Sequence, residues 1–319
     1  MSATNEGQMR AVRIHNYGGQ EQMELESIAV PKPTAGEVLI KVHAAGVNPV
    51  DWKIREGYLA ENIPHTLPLT LGWDFAGEVA AVGQDVKKWR VGDAVYARPD
   101  LSKDGAYAEY ITVSADEIAA KPKTLSWQKS AAVPLVTLTA WQALNDIGQM
   151  KQGDRVLIHA GAGGVGIAAI QLAKHAGATV YTTASTRNVE FLKSLGADEV
   201  IDYSQHDFSK LTDLDIVFDT MGGEVLEKSW ATLKKGGRLI SIAEIPNEEL
   251  AAKHEVSANF CFVQANSGQL SEICNLIDSG DITVEVDSVF RLDDIAKAHE
   301  KSESGHTRGK IVIQVQEED

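Results

Sequence analysis

The chain has 319 residues, 44% hydrophobic and 24% charged, a composition that excludes disordered and fibrous classes and a length that corresponds to about two globular domains. Lysine and arginine number 30 against 45 acidic residues, for a formal charge of -15; that field repels phosphate backbones and anionic membrane surfaces, so nucleic acid is not an expected partner. Two cysteines, Cys261 and Cys274, exclude a disulfide framework and a four-cysteine zinc site. With a polar N-terminus and no apolar run of bilayer length, the expectation is a cytoplasmic protein without a membrane segment.

Short β-type runs broken by glycine and proline occupy 11–15, 37–46, 75–83, 92–97 and 106–113. Their spacing predicts a small barrel or sandwich. From Trp127 the pattern changes. An apolar stretch to Leu144 is followed by a strand over 155–159 and a helix over 164–176, with Val165, Ala168, Ala169, Leu172, Ala173 and Ala176 on one face and Gly177 as its stop. Strands over 179–183, 199–203, 215–219 and 238–242 alternate with helices over 189–195 and 224–233, the order of a parallel sheet covered on both faces. A strand over 259–263, a helix over 269–279 and β-like runs over 284–290 and 310–315 close the chain. The domains read as 1–125 with 281–319, and 126–280.

Between the strand and the helix of the second region lies Gly161-Ala162-Gly163-Gly164-Val165-Gly166. The bare G-x-G-x-x-G pattern is weak in a chain with 27 glycines, for which about 0.2 chance matches are expected, but its place between strand and helix makes it a dinucleotide loop. Gly161 makes the tight turn, Gly163 admits a pyrophosphate to the backbone, and Gly166 lets helix and strand pack closely. An NAD-type site carries an acid about 20 residues on. The corresponding segment ends in Ser185, Thr186 and Arg187 with no acid, a set suited to a 2′-phosphate and hence to NADPH.

The segments 44–52, 71–79 and 133–141, together with the glycine loop and the closing 308–312, resemble the medium-chain dehydrogenase/reductase superfamily over nearly the whole chain. Within it the similarity is to the zinc-independent quinone oxidoreductase branch, which includes zeta-crystallin, and to the enone reductases. The resemblance implies an α/β protein: a GroES-like catalytic domain from both chain ends, a doubly wound Rossmann domain in the middle and a cleft between them. It also implies a homodimer. Asn48 and Trp73 stand at positions where zinc-dependent relatives carry cysteine and histidine ligands, and neither an amide nor an indole replaces those; no metal is expected.

The same resemblance assigns Asn48 and Thr139 to the cofactor and substrate region and Tyr203 to a 2′-phosphate contact. Ala243 and Phe260 or Phe262 fall to the nicotinamide ribose and ring, Lys310 to the cofactor, and Tyr58 to the acceptor, where a phenol assists hydride transfer by hydrogen bonding; Asp51 and Trp52 lie in the same segment as Tyr58 and shape the pocket. Each has a competing structural role: Asn48 as a turn residue before Pro49, Tyr58 as a loop aromatic, Arg187 as a solvated helix residue, Tyr203 as a strand end, the phenylalanines as core and Lys310 as a solvated strand lysine. The expected reaction is NADPH-dependent reduction of a quinone or an α,β-unsaturated carbonyl compound. The competing reading from another class is a protein that binds NADPH for a structural or sensing purpose.

Overall fold

The computed structural model describes residues 7–316; the polar N-terminal stretch noted above lies largely outside them. Two compact units form: one from the chain up to Leu135, Ala265–Ser279 and the chain from Val284 on, the other from Val136–Gln264 with Gly280–Thr283.

The first unit opens with β1 (Gln8–Ile14), β2 (Met23–Ala29), β3 (Glu37–Val47), the short helix α1 (Pro49–Arg55), β4 (Leu69–Thr70), β5 (Phe75–Val82), β6 (Ala94–Ala97), β7 (Tyr110–Ser114), β8 (Ala119–Ala120) and α2 (Trp127–Ala131). α3 (Pro134–Trp141) leads into the second unit, where β9 (Arg155–Ile158), α4 (Gly164–His175), β10 (Thr179–Ala184), α5 (Val189–Ser194), β11 (Glu199–Asp202), β12 (Leu214–Asp219), α6 (Gly223–Ser229), β13 (Leu233–Ser241), α7 (Glu248–His254) and β14 (Ser257–Phe260) alternate. α8 (Ser267–Asp278), β15 (Val286–Arg291), α9 (Ile295–Glu303) and β16 (Lys310–Gln314) follow.

In the first unit β2-β1-β4 make one sheet, and β15-β16-β3-β5-β6-β8, with β7 also on β3, make another. The C-terminal strand β16 runs antiparallel to β3, Ile311 opposite Val47, so both chain ends build one core. Trp73, Phe75, Ile40, Ile54, Leu71 and Tyr107 are buried in it, each contributing roughly 1.5–3 kcal/mol by leaving water. The domain limits read from sequence shift in three places: the contact boundary falls after Leu135, α8, assigned above to the middle domain, belongs to the first unit, and the return to the first unit comes at Val284 rather than 281. Its cohesion there is polar as well as apolar. Asp278 accepts from the backbone N–H groups of Lys123 and Thr124 at 3.2 and 3.0 Å, and the Tyr96 hydroxyl donates to the Leu270 carbonyl at 2.6 Å.

The second unit holds a six-stranded parallel sheet in the order β11-β10-β9-β12-β13-β14. β12 is buried at every position and β9 at all but its first, and their centres, 216–218 and 156–158, are continuous apolar runs. The strand order reverses between β9 and β12, and in open α/β sheets ligands bind beyond the carboxyl ends of the strands at that point.

Candidate active site

In the second unit β9 runs into the glycine turn. The Gly161 N–H donates to the Thr183 carbonyl and the Gly163 N–H to the Ala160 carbonyl, both at 3.0 Å, and Ala160 takes up the left-handed conformation at φ 51°. The three motif glycines differ in what excludes a side chain. A Cβ on Gly161 would lie 2.1 Å from the Thr182 hydroxyl, and one on Gly166 would lie 2.5 Å from the Ala160 carbonyl oxygen; both are needed for packing. Gly163 has nothing nearer than 3.4 Å, so the protein itself leaves the space beside it open. Gly163 is also the N-cap of α4 and no side chain caps that helix, so first-turn N–H groups are available to an anion.

Beyond the strand ends a cavity of about 590 Å³ is lined by His159, Thr183, Tyr203, Phe208 and Met221 among others. His159 is buried, which pushes its imidazole down to about 4 and keeps it neutral at pH 7. The Ser229 hydroxyl donates to the Val225 carbonyl at 2.7 Å, so it accepts from His159 Nε2 at 2.9 Å, and Nδ1 accepts from the Thr183 hydroxyl at 3.2 Å. Thr183 in turn accepts from the Ala160 N–H at 3.1 Å, and the chain of bonds holds the glycine turn.

Ser185, Thr186 and Arg187 follow β10, and Tyr203 follows β11. Thr186 and Arg187 are exposed, and Tyr203 is 64% exposed. Asp202 was not anticipated. It lies on the neighbouring strand, paired with Ala184, and it accepts from Thr186 Oγ1 at 2.5 Å, Ser204 N at 3.0 Å, Ser204 Oγ at 2.7 Å and Gln205 Nε2 at 3.1 Å. Those hydroxyl bonds hold its carboxyl below the usual range. Ala243 and Phe262 lie just past the ends of β13 and β14 rather than on them. Phe260 and Phe262 are 38% and 44% exposed and not core residues, whereas Thr139 on α3 is buried.

In the first unit a polar cluster is built into the core around Asn48, the N-cap of α1. Its N–H donates to Asp51 Oδ2 at 2.7 Å, closing the first turn. The Asn48 amide donates to Asp74 Oδ2 at 3.1 Å and accepts from Lys310 Nζ. Lys310 also donates to the Val47 carbonyl at 2.7 Å and stands 3.4 Å from Asp74 Oδ2. Tyr107 donates to Asp51 Oδ2 at 2.7 Å, while Asp51 Oδ1 is buried with no partner. Asn48, Asp51, Asp74 and Lys310 are all at most 4% exposed, so Lys310 is no solvated strand lysine. Burial raises both carboxyls, Asp51 to about 7, and lowers the Lys310 ammonium. Trp73 is fully buried with its indole N–H on the Lys103 carbonyl at 3.1 Å.

Tyr58, in the loop after α1, is 67% exposed and packs edge-on to Trp52 at 6.3 Å; among the described residues its hydroxyl makes no hydrogen bond. Asp74 and Tyr107 escaped sequence reasoning. The one legible signal was the segment Gly72-Trp73-Asp74 itself. No helix among the described residues is long and apolar enough to cross a membrane.

Comparison with known proteins agrees with this architecture. A zinc-binding dehydrogenase family model matches residues 195–313, and an alcohol dehydrogenase GroES-like domain model matches 34–123. The chain is 38% identical to the 2-methylene-furan-3-one reductase of Solanum lycopersicum, over 96% of this chain and 79% of that one. It is 37% identical, with the same coverages, to the chloroplastic NADPH-dependent alkenal/one oxidoreductase of Arabidopsis thaliana. Among solved structures, the quinone oxidoreductase from Coxiella burnetii superposes with a TM-score of 0.89 at 39% identity, covering 97% of this chain and 100% of that one. The chain belongs to the medium-chain dehydrogenase/reductase family of oxidoreductases, alongside its quinone oxidoreductases and alkenal/one reductases.

Proposed function

We propose that the protein is an NADPH-dependent, zinc-independent reductase of quinones or of the C=C bond of α,β-unsaturated carbonyl compounds. The observation that carries the cofactor assignment is the glycine turn: two glycines required by packing frame a third whose side is open, at the uncapped start of α4. Gly161, Gly163, Gly164, Val165 and Gly166 would hold the pyrophosphate there, as helix N-termini hold anions. Ser185, Thr186, Arg187 and Tyr203 would hold the 2′-phosphate. Asp202 does not argue for NAD, because four donors already occupy its two oxygens. Thr139, Ala243, Phe260 and Phe262 are assigned to the nicotinamide half.

Bound in this way, a reduced nicotinamide supplies one hydride, two electrons, to the β-carbon of an enone or to a quinone. Charge then develops on the acceptor oxygen. Tyr58, with its hydroxyl uncommitted, donates a hydrogen bond to that oxygen, and a proton from water completes the saturated ketone or hydroquinone. Asn48 orients the reacting groups and is itself held by Lys310 and Asp74. Independence from zinc is supported by the same cluster: both ends of the Asn48 amide are occupied by Lys310 and Asp74, and Trp73 spends its N–H on Lys103. The exposed edge strand β14 is the surface on which we expect a homodimer to pair.

A panel of quinones, enones and alkenals scored for NADPH oxidation, before and after dialysis against a strong chelator, tests the reading. Turnover that survives the chelator supports it. Tight NADPH binding with no turnover across the panel would favour a binding protein, and stoichiometric zinc whose removal abolishes activity would overturn zinc independence.

A further inference from the structure

Arg98 follows the last residue of β6. The antiparallel register that pairs Ala97 with Phe75, continued by one residue, sets it opposite Asp74. It is 4% exposed, and its Nε is buried without a hydrogen-bond partner. Among the described residues no hydrogen bond reaches the guanidinium, and no carboxylate oxygen comes within 4.0 Å of it. The anions whose fields it feels are Asp100, Asp74 and Glu117, and each is engaged with other groups. Asp100 is bound by Ser102 through N–H and hydroxyl. Asp74 is bound by Asn48, Leu135 and Lys310. Burial pushes the Glu117 carboxyl up, and it accepts no hydrogen bond from Arg98.

A guanidinium cannot release its proton in a protein, and a buried charge without a partner weakens the fold unless something else compensates it. We propose that Arg98 is a specificity residue that binds a carboxylate on the acceptor, next to the Asn48 cluster, so that the favoured substrate is an unsaturated carbonyl compound that also carries an acid group. The inference rests on the reduction proposed above and narrows its substrate class. A carboxylate matches the fork of the guanidinium in geometry and cancels its charge; a neutral quinone or enone oxygen would leave that charge unbalanced. The chain carries a net charge of -15, so its long-range field discourages anions, and a local buried cation is the feature that would select one.

The test uses two enones that differ in one group, 4-oxopent-2-enoate and 3-penten-2-one, with the native protein and Arg98→Met. The readout is the ratio of kcat/KM for the acid to that for the neutral enone. The ratio should fall tenfold to about a hundredfold in the variant, the range for a lost charged hydrogen bond. A structural role would lower the melting temperature of the variant, whereas a ligand role predicts an unchanged or higher one, because the unpaired charge is gone. If R98M does not fold, R98K carries the comparison, keeping the charge but losing the fork, with an expected fall of about three- to tenfold. Equal ratios in native and variant proteins that both reduce 3-penten-2-one would overturn the inference and leave the reductase reading intact. If the native protein reduced neither enone nor any quinone, the reductase reading would fail instead. Calorimetric binding of 4-oxopentanoate to the native protein but not to the variant would then still uphold the Arg98 site, and its absence would sink it.

Discussion

Replacing Asp51 with asparagine should flatten the pH dependence of stability. Burial lifts this carboxyl from 3.8 to about 7, against the pull of the Asn48 N–H, the Tyr107 hydroxyl and Lys310, and with a push from Asp74. Well below pH 4 the group is protonated in the folded and unfolded chain alike and Asp51 contributes no pH dependence. As the pH rises towards 7 the unfolded chain releases this proton while the folded chain retains it, so stability falls. The full span amounts to about 4 kcal/mol, of which about 3 kcal/mol lies between about pH 5 and about pH 8. Asp51→Asn keeps an oxygen for Asn48 and Tyr107 to donate to and cannot titrate. Its new N–H2 group faces the place where Oδ1 has no partner, so the variant is less stable than the native protein at low pH, by about 1–3 kcal/mol. The gap should narrow as the pH rises. Calorimetric melting at several pH values reads this directly: the native-minus-variant difference should shrink by roughly 6–12 °C between about pH 5 and about pH 8, at 2–4 °C per kcal/mol. Parallel melting curves across that range would refute the reasoning.

Four substitutions test the cofactor and acceptor assignments. Arg187→Ala should weaken NADPH binding by about ten- to a hundredfold, as loss of one charged contact to a phosphate does, and leave NADH almost unaffected; equal losses for both cofactors in titration would contradict the 2′-phosphate role. Tyr58→Phe should lower kcat on the best enone by about ten- to a thousandfold with unchanged NADPH affinity, and an unaltered kcat would reduce Tyr58 to a loop aromatic. Gly166→Ala, whose Cβ would sit 2.5 Å from a backbone carbonyl, should destabilise the unit by about 1–3 kcal/mol and disrupt cofactor binding. Gly163→Ala, with 3.4 Å of clearance, should melt like the native protein yet lose NADPH affinity, and retained affinity would remove the pyrophosphate from that turn.

The second unit was readable because its signals are local. A continuous apolar run, three glycines and a helical stripe follow one another between Arg155 and Ala176, and each reports on its neighbours. The first unit hid more. α1 begins at an Asn-Pro pair that reads as a turn, and its helical character depends on Asp51 closing back on the Asn48 N–H. β2 has no fully buried position, so its polar sequence gave no strand signal. The polar cluster was the least legible part, since Lys310 and Asn48 are 262 residues apart and meet only because β16 pairs with β3. Asp202 was missed for a related reason. The spacing of about 20 residues from the glycine turn points to the end of β10, whereas the carboxylate that reaches Thr186 comes from the adjacent strand.

Direct passage of hydride from NADPH to the acceptor without zinc, as proposed, can be followed by transfer of label. Metal-free protein should be supplied with NADPH deuterated at the transferring face of C4 and with the best enone of the panel, and the product analysed by mass spectrometry and NMR. Each product molecule should carry one deuterium, on the β-carbon, with the α-hydrogen drawn from water. A product without deuterium, or turnover that appears only when zinc is restored, would contradict it.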